Sequence, residues 1–122
     1  MYLIDSNIWL ELLLKQEKSD DVADFLKNIQ LEELNISDFT LYSIGIILSK
    51  LKEFDVLKRF LYDVISKGKI TILNVNPTNL EAIIDIEQKY NLDFDDAYQY
   101  VVAEEYDLAI VSFDKNFDNM GY

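Results

Sequence analysis

Carboxylates must carry most of the polar chemistry of this sequence, and two of them follow short apolar runs directly. The 122 residues include 23 acids and 11 bases but neither histidine nor cysteine. These absences exclude Ser-His-Asp catalysis, cysteine nucleophiles, disulfides and the common zinc sites. Asp5 follows the run 2–4, and Asp114 lies just after the run 108–112. Oxygen-only ligands favour Mg²⁺ or Mn²⁺, so we expect a hard divalent cation.

Two further acids could join the same group. Asp38 lies just past the apolar run 34–36, and Asp118 lies four residues beyond Asp114, a spacing that shares one face of a helical turn. Ligands of open parallel sheets bind beyond the carboxyl ends of the strands. Because parallel strands end on the same side, we expect Asp5, Asp38 and Asp114 at one edge, where they repel each other unless a cation or protons relieve them.

Three more acids lie at the start of a predicted helix that leads into the last strand. Asp93, Asp95 and Asp96 stand there, so the start of that helix should lie near the same edge. The helix dipole offers them a purely structural role, which we favour for Asp93 and Asp95. For Asp96 we favour a place in the site. Capping of the following helix is the structural alternative for Asp5 and Asp38.

Short apolar runs alternate with stretches of helical spacing along the chain. We predict strands at 2–4, 34–36, 70–75 and 108–112, and helices at 8–14, from 19, at 39–51, from about 57 to Gly68, at 78–90 and at 94–105. Thr78 and Glu81 form a capping-box pattern at the start of the fifth helix. The alternation predicts an α/β domain with a parallel sheet that helices cover on both faces.

Length and charge narrow the class of protein. One domain is expected from 122 residues, half of them apolar. The net charge of −12 argues against a simple nucleic-acid binder, so a nuclease would need a cation against the phosphate backbone. The first residues lack a signal-peptide pattern and no uncharged run could span a bilayer, so we expect a cytoplasmic protein without membrane contact.

Together these residues resemble PIN-domain proteins, and among them the VapC toxins of toxin–antitoxin pairs. The resemblance extends over essentially the whole chain, as a single PIN-like domain at residues 1–122. Its anchors are the segments 2–7, 36–42, 95–97 and 111–118, which read YLIDSN, ISDFTLY, DDA and VSFDKNFD. The first and last anchors are specific in combination rather than singly.

The resemblance implies a three-layer α/β/α sandwich whose parallel sheet has four strands, or five if the family's last edge strand is present. It also implies a metal-dependent endoribonuclease, toxin-like, that hydrolyses RNA phosphodiester bonds with Mg²⁺ or Mn²⁺. The catalytic acids of the family correspond to Asp5, Asp96 and Asp114, which would also hold the metal. Asp118 corresponds to an additional metal-holding acid. Apart from the resemblance, Lys115 lies next to Asp114, where a solvated surface lysine is the favoured interpretation and contact with a phosphate is the alternative.

Neutral side chains complete the implied site. Ser112 takes the family's hydroxyl position before the late acid, and Asn7 takes the position of a small polar residue beside the first acid. We expect both to orient the carboxylates. The family usually has a Glu early in the middle helix, where this chain has Ser43. Either Asp38 swings in as a substitute, or metal affinity and turnover fall.

Partners follow from the same resemblance. It implies RNA as the substrate, a homodimer, and an antitoxin as a possible protein partner. The predicted helix at 39–51 is apolar almost all round. Deep burial within the monomer is one explanation, and contact with a second copy or with an antitoxin-like segment is the other.

Two other functions remain open beside the metal-dependent ribonuclease. Ser43 and the acidic surface favour a catalytically weak PIN relative that acts as a binding or partner protein. A phosphotransfer enzyme of the haloacid-dehalogenase type would use Asp5 as its nucleophile. Such enzymes usually have Asp-x-Asp after the first strand, whereas this chain reads Asp5-Ser6-Asn7.

Overall fold

A parallel sheet of four short strands forms the centre of the molecule, for which a computed structural model describes residues 1–114. The strands are β1 (Tyr2–Ile4), β2 (Leu34–Ser37), β3 (Thr71–Leu73) and β4 (Ala109–Val111). Their order across the sheet is β3-β2-β1-β4. Tyr2 is in register with Leu34 on one side and with Ala109 on the other. The carboxyl ends of β1 and β4 therefore lie side by side.

Helices connect each strand to the next parallel strand. They are α1 (Ser6–Leu13), α2 (Ser19–Lys27), α3 (Asp38–Lys50), α4 (Phe54–Leu61), α5 (Leu80–Tyr90) and α6 (Phe94–Tyr106). Short turns of 3₁₀ helix occupy Leu31–Glu33 and Pro77–Asn79, and a π-helical turn at Tyr62–Ser66 continues α4. Within residues 1–114, no helix combines the length and the apolar character needed to cross a membrane.

Two apolar cores lie on opposite faces of the sheet and make the fold three-layered. Successive residues of a strand point to opposite faces, and Leu3 and Ile4 are both fully buried. Leu3 packs in a cluster that includes Ile83 of α5 and Val102 of α6. Ile4 packs in a second cluster with residues of α1 to α4, such as Ile44. The predicted α/β/α sandwich with a four-stranded parallel sheet is confirmed for the described residues.

The region around β3 differs most from the sequence prediction. The strand covers only 71–73 of the predicted 70–75, because it is an edge strand whose Thr71 and Ile72 are exposed. The predicted capping box is wrong. The Asn76 side chain accepts from the Thr78 N–H at 3.1 Å, which makes a 3₁₀ turn, and the helix begins only at Leu80.

The apolar helix α3 is buried on one face only, so deep burial in the monomer does not explain its composition. Ile44 and Leu48 are fully buried, whereas Tyr42 is 68% exposed and Ile46 is 56% exposed. An apolar groove of about 860 Å³ runs along this exposed face. We call it the α3–α4 groove, and its lining includes residues of α3, of α4 and of the following segment up to β3: Leu41, Tyr42, Ile46, Leu57, Leu61, Ile65 and Ile72.

Candidate functional site

Asp5 stands at the junction of β1 and α1. Its backbone is extended, with φ −76° and ψ 160°, and its N–H still donates to Val111 of β4 at 3.0 Å. Its Oδ1 accepts from the Ser6 N–H at 2.8 Å, so Asp5 caps α1. The side chain is only 7% exposed. The capping role and a role in the site are therefore compatible, since Asp5 has a second carboxylate oxygen.

The Ser112 hydroxyl connects that second oxygen to the end of β4. Ser112 Oγ donates to Asp5 Oδ2 at 2.8 Å. Ser112 Oγ also accepts from Asn7 Nδ2 at 3.0 Å and from the Asp114 N–H at 2.9 Å. One hydroxyl offers one donor and two acceptor positions, and Ser112 uses all three. The Phe113 N–H donates to Asn7 Oδ1 at 3.2 Å, which closes the network.

The start of α6 brings a further group of acids to this edge. Asp93 occupies the N-cap position without a side-chain capping bond, and Asp95 Oδ1 accepts from the Asp96 N–H at 3.0 Å. One carboxylate oxygen from each of Asp93, Asp95 and Asp96 lies within 4.8 Å of the others. Exposed acids often lie this close together, so this spacing alone does not identify a metal site.

Four of these acids, Asp5, Asp95, Asp96 and Asp114, face one polar cavity of about 180 Å³. Its wall consists mainly of polar side chains from α1, α3, α6 and the end of β4: Asp5, Ser6, Asn7, Phe39, Thr40, Ser43, Asp95, Asp96, Gln99 and Asp114. The expected grouping of Asp5, Asp96 and Asp114 is thus seen in the cavity wall. Asp118 and Lys115 lie outside the described residues.

Burial and repulsion from neighbouring charges raise the pKa values of two carboxyls in the wall, Asp96 and Asp5. Burial, together with the negative charges of Asp95, Asp114 and Asp5, raises the pKa of Asp96 to about 7. Burial also raises the pKa of Asp5, with a smaller contribution from the charge of Asp114, against hydrogen bonds led by that from Ser112. A divalent cation would relieve this repulsion.

Asp38 does not join the cavity wall among the described residues. It is the first residue of α3, and Ser37 rather than Asp38 is the N-cap, since Ser37 Oγ accepts from the Thr40 N–H at 3.0 Å. Asp38 Oδ1 accepts from the Tyr98 hydroxyl at 2.7 Å, and that hydroxyl in turn accepts from the Val75 N–H at 2.9 Å. Asp38 therefore holds α6 and the segment after β3 in place. Ser43, by contrast, lies in the cavity wall.

Sequence reasoning missed several residues of the wall, and two of them, Asp95 and Gln99, bear on its chemistry. Asp95 had been assigned to the helix dipole, yet it lines the cavity and raises the pKa of Asp96. Gln99 was not singled out, although it donates from Nε2 to Asp5 Oδ1 at 3.2 Å. Its spacing of three residues from Asp96 on one helix was the available signal, since such residues share a face.

The side chains of this wall fit a hard divalent cation. Carboxylate, hydroxyl and amide oxygens are the ligands that Mg²⁺ and Mn²⁺ prefer, and no softer ligand type exists in the sequence apart from two methionines. The pKa values of Asp5 and Asp96 are raised mainly by burial, with an added contribution from neighbouring negative charge, so a nearby cation would stabilise both carboxylates. In addition, the buried Gln99 Oε1 has no hydrogen-bond partner among the described residues.

Comparisons with known proteins point to one family. A family model of the PIN domain matches residues 2–121. The crystal structure of Mycobacterium tuberculosis VapC20, described as a toxin that cleaves the sarcin-ricin loop, is 12% identical to this chain. It superposes with a TM-score of 0.86 over 100% of this chain and 96% of that chain. No curated protein sequence matches.

Two further solved structures share the fold. A toxin–antitoxin complex from Klebsiella pneumoniae is 19% identical, with a TM-score of 0.76 over 96% of this chain and 90% of that chain. FitAcB from Neisseria gonorrhoeae is 22% identical, with a TM-score of 0.74 over 95% and 89%. At these identities the likeness concerns the fold, and it confirms the resemblance and the PIN-like architecture predicted from the sequence.

Proposed function

The chain belongs to the PIN-domain family, and on that premise we propose that it is a toxin-like endoribonuclease that uses Mg²⁺ or Mn²⁺ to hydrolyse RNA. The observation that carries the proposal is the placement of Asp5, Asp96 and Asp114 around one cavity, with pKa values of Asp5 and Asp96 raised by burial and repulsion. We further propose that residues 1–122 form one domain and that the protein acts in the cytoplasm.

Asp5, Asp96 and Asp114 would hold the cation, with Asp118 as a further ligand in the proposal. A bound divalent cation supplies charge neutralisation at the scissile phosphate and makes water easier to deprotonate. Asp95 extends the negative wall at the start of α6. Asp95 is an addition to the acids expected from the sequence.

The neutral residues fix the carboxylates before substrate arrives. Ser112 donates to Asp5 Oδ2, while Asn7 and the Asp114 N–H donate to Ser112, so the ends of β1 and β4 hold one geometry. Asp5 Oδ1 is held at the same time by Ser6 and Gln99. Preorganised ligands lower the cost of ordering the site when a cation binds.

The net charge of −12 limits how RNA approaches the site. An RNA backbone is repelled by an acidic surface unless the charge is screened or locally reversed. A divalent cation in the cavity would offset part of this negative charge and would present a positive centre to the scissile phosphate. We therefore expect cleavage to need a divalent cation for substrate binding as well as for chemistry.

RNA cleavage by the purified chain tests the proposal. Single-stranded and structured RNA should be cut when Mn²⁺ or Mg²⁺ is present and remain intact in EDTA. Asp5→Asn and Asp96→Asn should each abolish the cutting, while Asp85→Asn, an exposed position on α5, should leave it unchanged. Cleavage that survives both site substitutions would contradict the proposal.

We also propose that a helical segment of an antitoxin-like protein binds in the α3–α4 groove. The groove is apolar and its rim includes exposed Tyr42, Ile46 and Ile65. An amphipathic helix that lays its apolar face into such a groove is a common mode of recognition. The toxin–antitoxin complex from Klebsiella pneumoniae shares the fold of this chain, which supports a partner of this kind.

Two measurements distinguish an antitoxin from a second copy of this chain as the molecule that binds in the α3–α4 groove. A protein encoded beside this chain, when coexpressed, should form a complex that Ile46→Asp weakens. Sedimentation of the chain alone reports whether two copies associate and whether the same substitution separates them. Ile84→Asp, an equally exposed apolar position on α5, is the matched control.

A catalytically weak relative that acts by binding is the second candidate. It is favoured by Ser43, which lies in the cavity wall where the family resemblance calls for an acid. The hydroxyl is neutral and gives a hard cation less electrostatic stabilisation than a carboxylate. Cleavage that is undetectable in the natural chain and appears only in Ser43→Glu would support this second function.

A further inference from the structure

Gln99 is an unusual residue for its place in the fold. It lies on the buried stretch of α6 that runs from Ala97 to Ala103, and it is only 3% exposed. Burial of an amide side chain is unfavourable unless its polar atoms are hydrogen-bonded. A leucine or methionine fills such space without that cost, so packing alone does not explain a glutamine here.

The amide of Gln99 is satisfied on one side only. Its Nε2 donates to Asp5 Oδ1 at 3.2 Å. Its Oε1 is buried and has no hydrogen-bond partner among residues 1–114. An unsatisfied buried acceptor costs about 1–3 kcal/mol. The bond to Asp5 fixes which end of the amide carries the donor, because an ionised carboxylate accepts hydrogen bonds and cannot donate them.

The surroundings indicate what kind of partner Oε1 lacks. Gln99 lines the same cavity as Asp5, Asp96 and Asp114, and it lies one helical turn after Asp96. At pH 8, above the pKa of Asp96, the carboxylates are ionised and offer the amide oxygen no hydrogen. A cation, or a water molecule that hydrates it, satisfies a carbonyl oxygen and the surrounding carboxylates together.

We propose that Gln99 is an oxygen donor to the hydrated divalent cation in this cavity, a neutral substitute for the carboxylate that position 43 lacks. This inference rests on the proposed metal-dependent function. The same amide then has two roles, since Nε2 holds Asp5 and Oε1 stabilises the cation. Ser43, which faces the cavity from α3, leaves room for this arrangement.

Calorimetric titration of Mn²⁺ into the metal-free chain at pH 8 tests the inference without reference to catalysis. Gln99→Glu replaces the neutral oxygen by a charged one, so it should tighten Mn²⁺ binding by about tenfold, as ligand charge sets affinity at such sites. Gln99→Leu removes the oxygen and should weaken binding by about tenfold or more. Gln88→Glu, exposed on α5, adds the same charge elsewhere and should leave the affinity unchanged.

A purely structural role for Gln99 predicts the opposite sign for one variant. Gln99→Glu removes the N–H donor to Asp5 and adds a like charge beside it, so a residue that only supports Asp5 would lose Mn²⁺ affinity in both substitutions. Tighter binding by Gln99→Glu therefore supports the inference, and equal or weaker binding overturns it. Gln99→Met replaces Gln99→Leu if circular dichroism shows that the leucine variant is unfolded.

The same titration separates this inference from the proposed function. If the wild-type chain binds no Mn²⁺, both fall together. If the wild-type chain binds Mn²⁺ and loses it in Asp5→Asn, while the two Gln99 substitutions leave the affinity within twofold, the metal site stands and only the role of Gln99 is refuted.

Discussion

Replacing Asp96 by Asn should stabilise the metal-free protein at pH 8 while it weakens cation binding. The pKa of Asp96 is about 7 in the fold against an ordinary value of 3.8, because the carboxyl is partly buried and faces the charges of Asp95, Asp114 and Asp5. At about 1.36 kcal/mol for each tenfold change in proton affinity, this difference corresponds to roughly 4 kcal/mol. Solvent screening of the partly exposed side chain reduces the expected gain to about 1–2 kcal/mol.

The pH dependence fixes the sign of the effect. The folded state binds the Asp96 proton more tightly than the unfolded state, so ionisation favours unfolding. The penalty is absent below about pH 4, where both states are protonated, and complete above about pH 7, where both are ionised. The free energy of unfolding of Asp96→Asn minus that of the wild type should therefore increase from pH 5 to pH 8.

Urea unfolding in EDTA at pH 5, 6.5 and 8 measures this difference. Asp85→Asn serves as the control, since it removes an exposed charge on α5, a helix that contributes no residue to the cavity wall. Saturating Mn²⁺ should then stabilise the wild type more than Asp96→Asn, because a cation that binds only the folded state stabilises it by mass action. An Asp96→Asn variant that is no more stable than the wild type at pH 8 would refute the reasoning.

Three further predictions concern the surroundings of the cavity. Ser43→Glu should tighten Mn²⁺ binding by about tenfold in calorimetry and speed RNA cleavage, and an unchanged affinity would show that position 43 does not reach the cation. Tyr98→Phe should lower the free energy of unfolding by about 1–3 kcal/mol in urea, because it removes the hydroxyl that bonds Asp38, yet leave Mn²⁺ affinity unchanged. A changed affinity would contradict the separation of Asp38 from the site. Ile46→Asp should weaken the complex with a coexpressed antitoxin at least tenfold without loss of RNA cleavage. Ile84→Asp should change neither the complex nor the cleavage, and equal effects of the two substitutions on the complex would refute the groove assignment.

The architecture could be predicted from the sequence because its strongest signals are local and mutually consistent. The apolar run that ends at Asp5 and the helical spacing after it are set by neighbours in sequence, and β1 and α1 form there. Parallel strands must end at one edge, so the meeting of Asp5 and Asp114 follows from topology. The edge strand β3 was less predictable, since its length depends on pairing with one neighbour only.

The contents of the cavity wall could be predicted only in part. The position of an acid directly after a strand follows from the topology. Asp95 and Gln99 are placed instead by the rotation of α6 against the sheet, and the spacing from Asp96 to Gln99 predicts only that these two share a face of the helix. Asp38 is the opposite case, since it was expected near the site but does not line the cavity among the described residues. Its position after β2 was predicted, while its hydrogen bond to Tyr98, sixty residues along the chain, could not be. The exposure of Tyr42 and Ile46 likewise depends on how far α4 covers α3.

Calorimetric titration of Mn²⁺ into the wild-type chain and into Asp5→Asn tests the central claim most directly. Asp5 is buried and accepts hydrogen bonds from Ser6, Gln99 and Ser112. Its negative charge also helps to raise the pKa of Asp96. The account predicts saturable binding by the wild type that Asp5→Asn weakens by at least tenfold, while the variant keeps its fold by circular dichroism. Absence of Mn²⁺ binding by the folded wild type, or equal binding by both proteins, would contradict it.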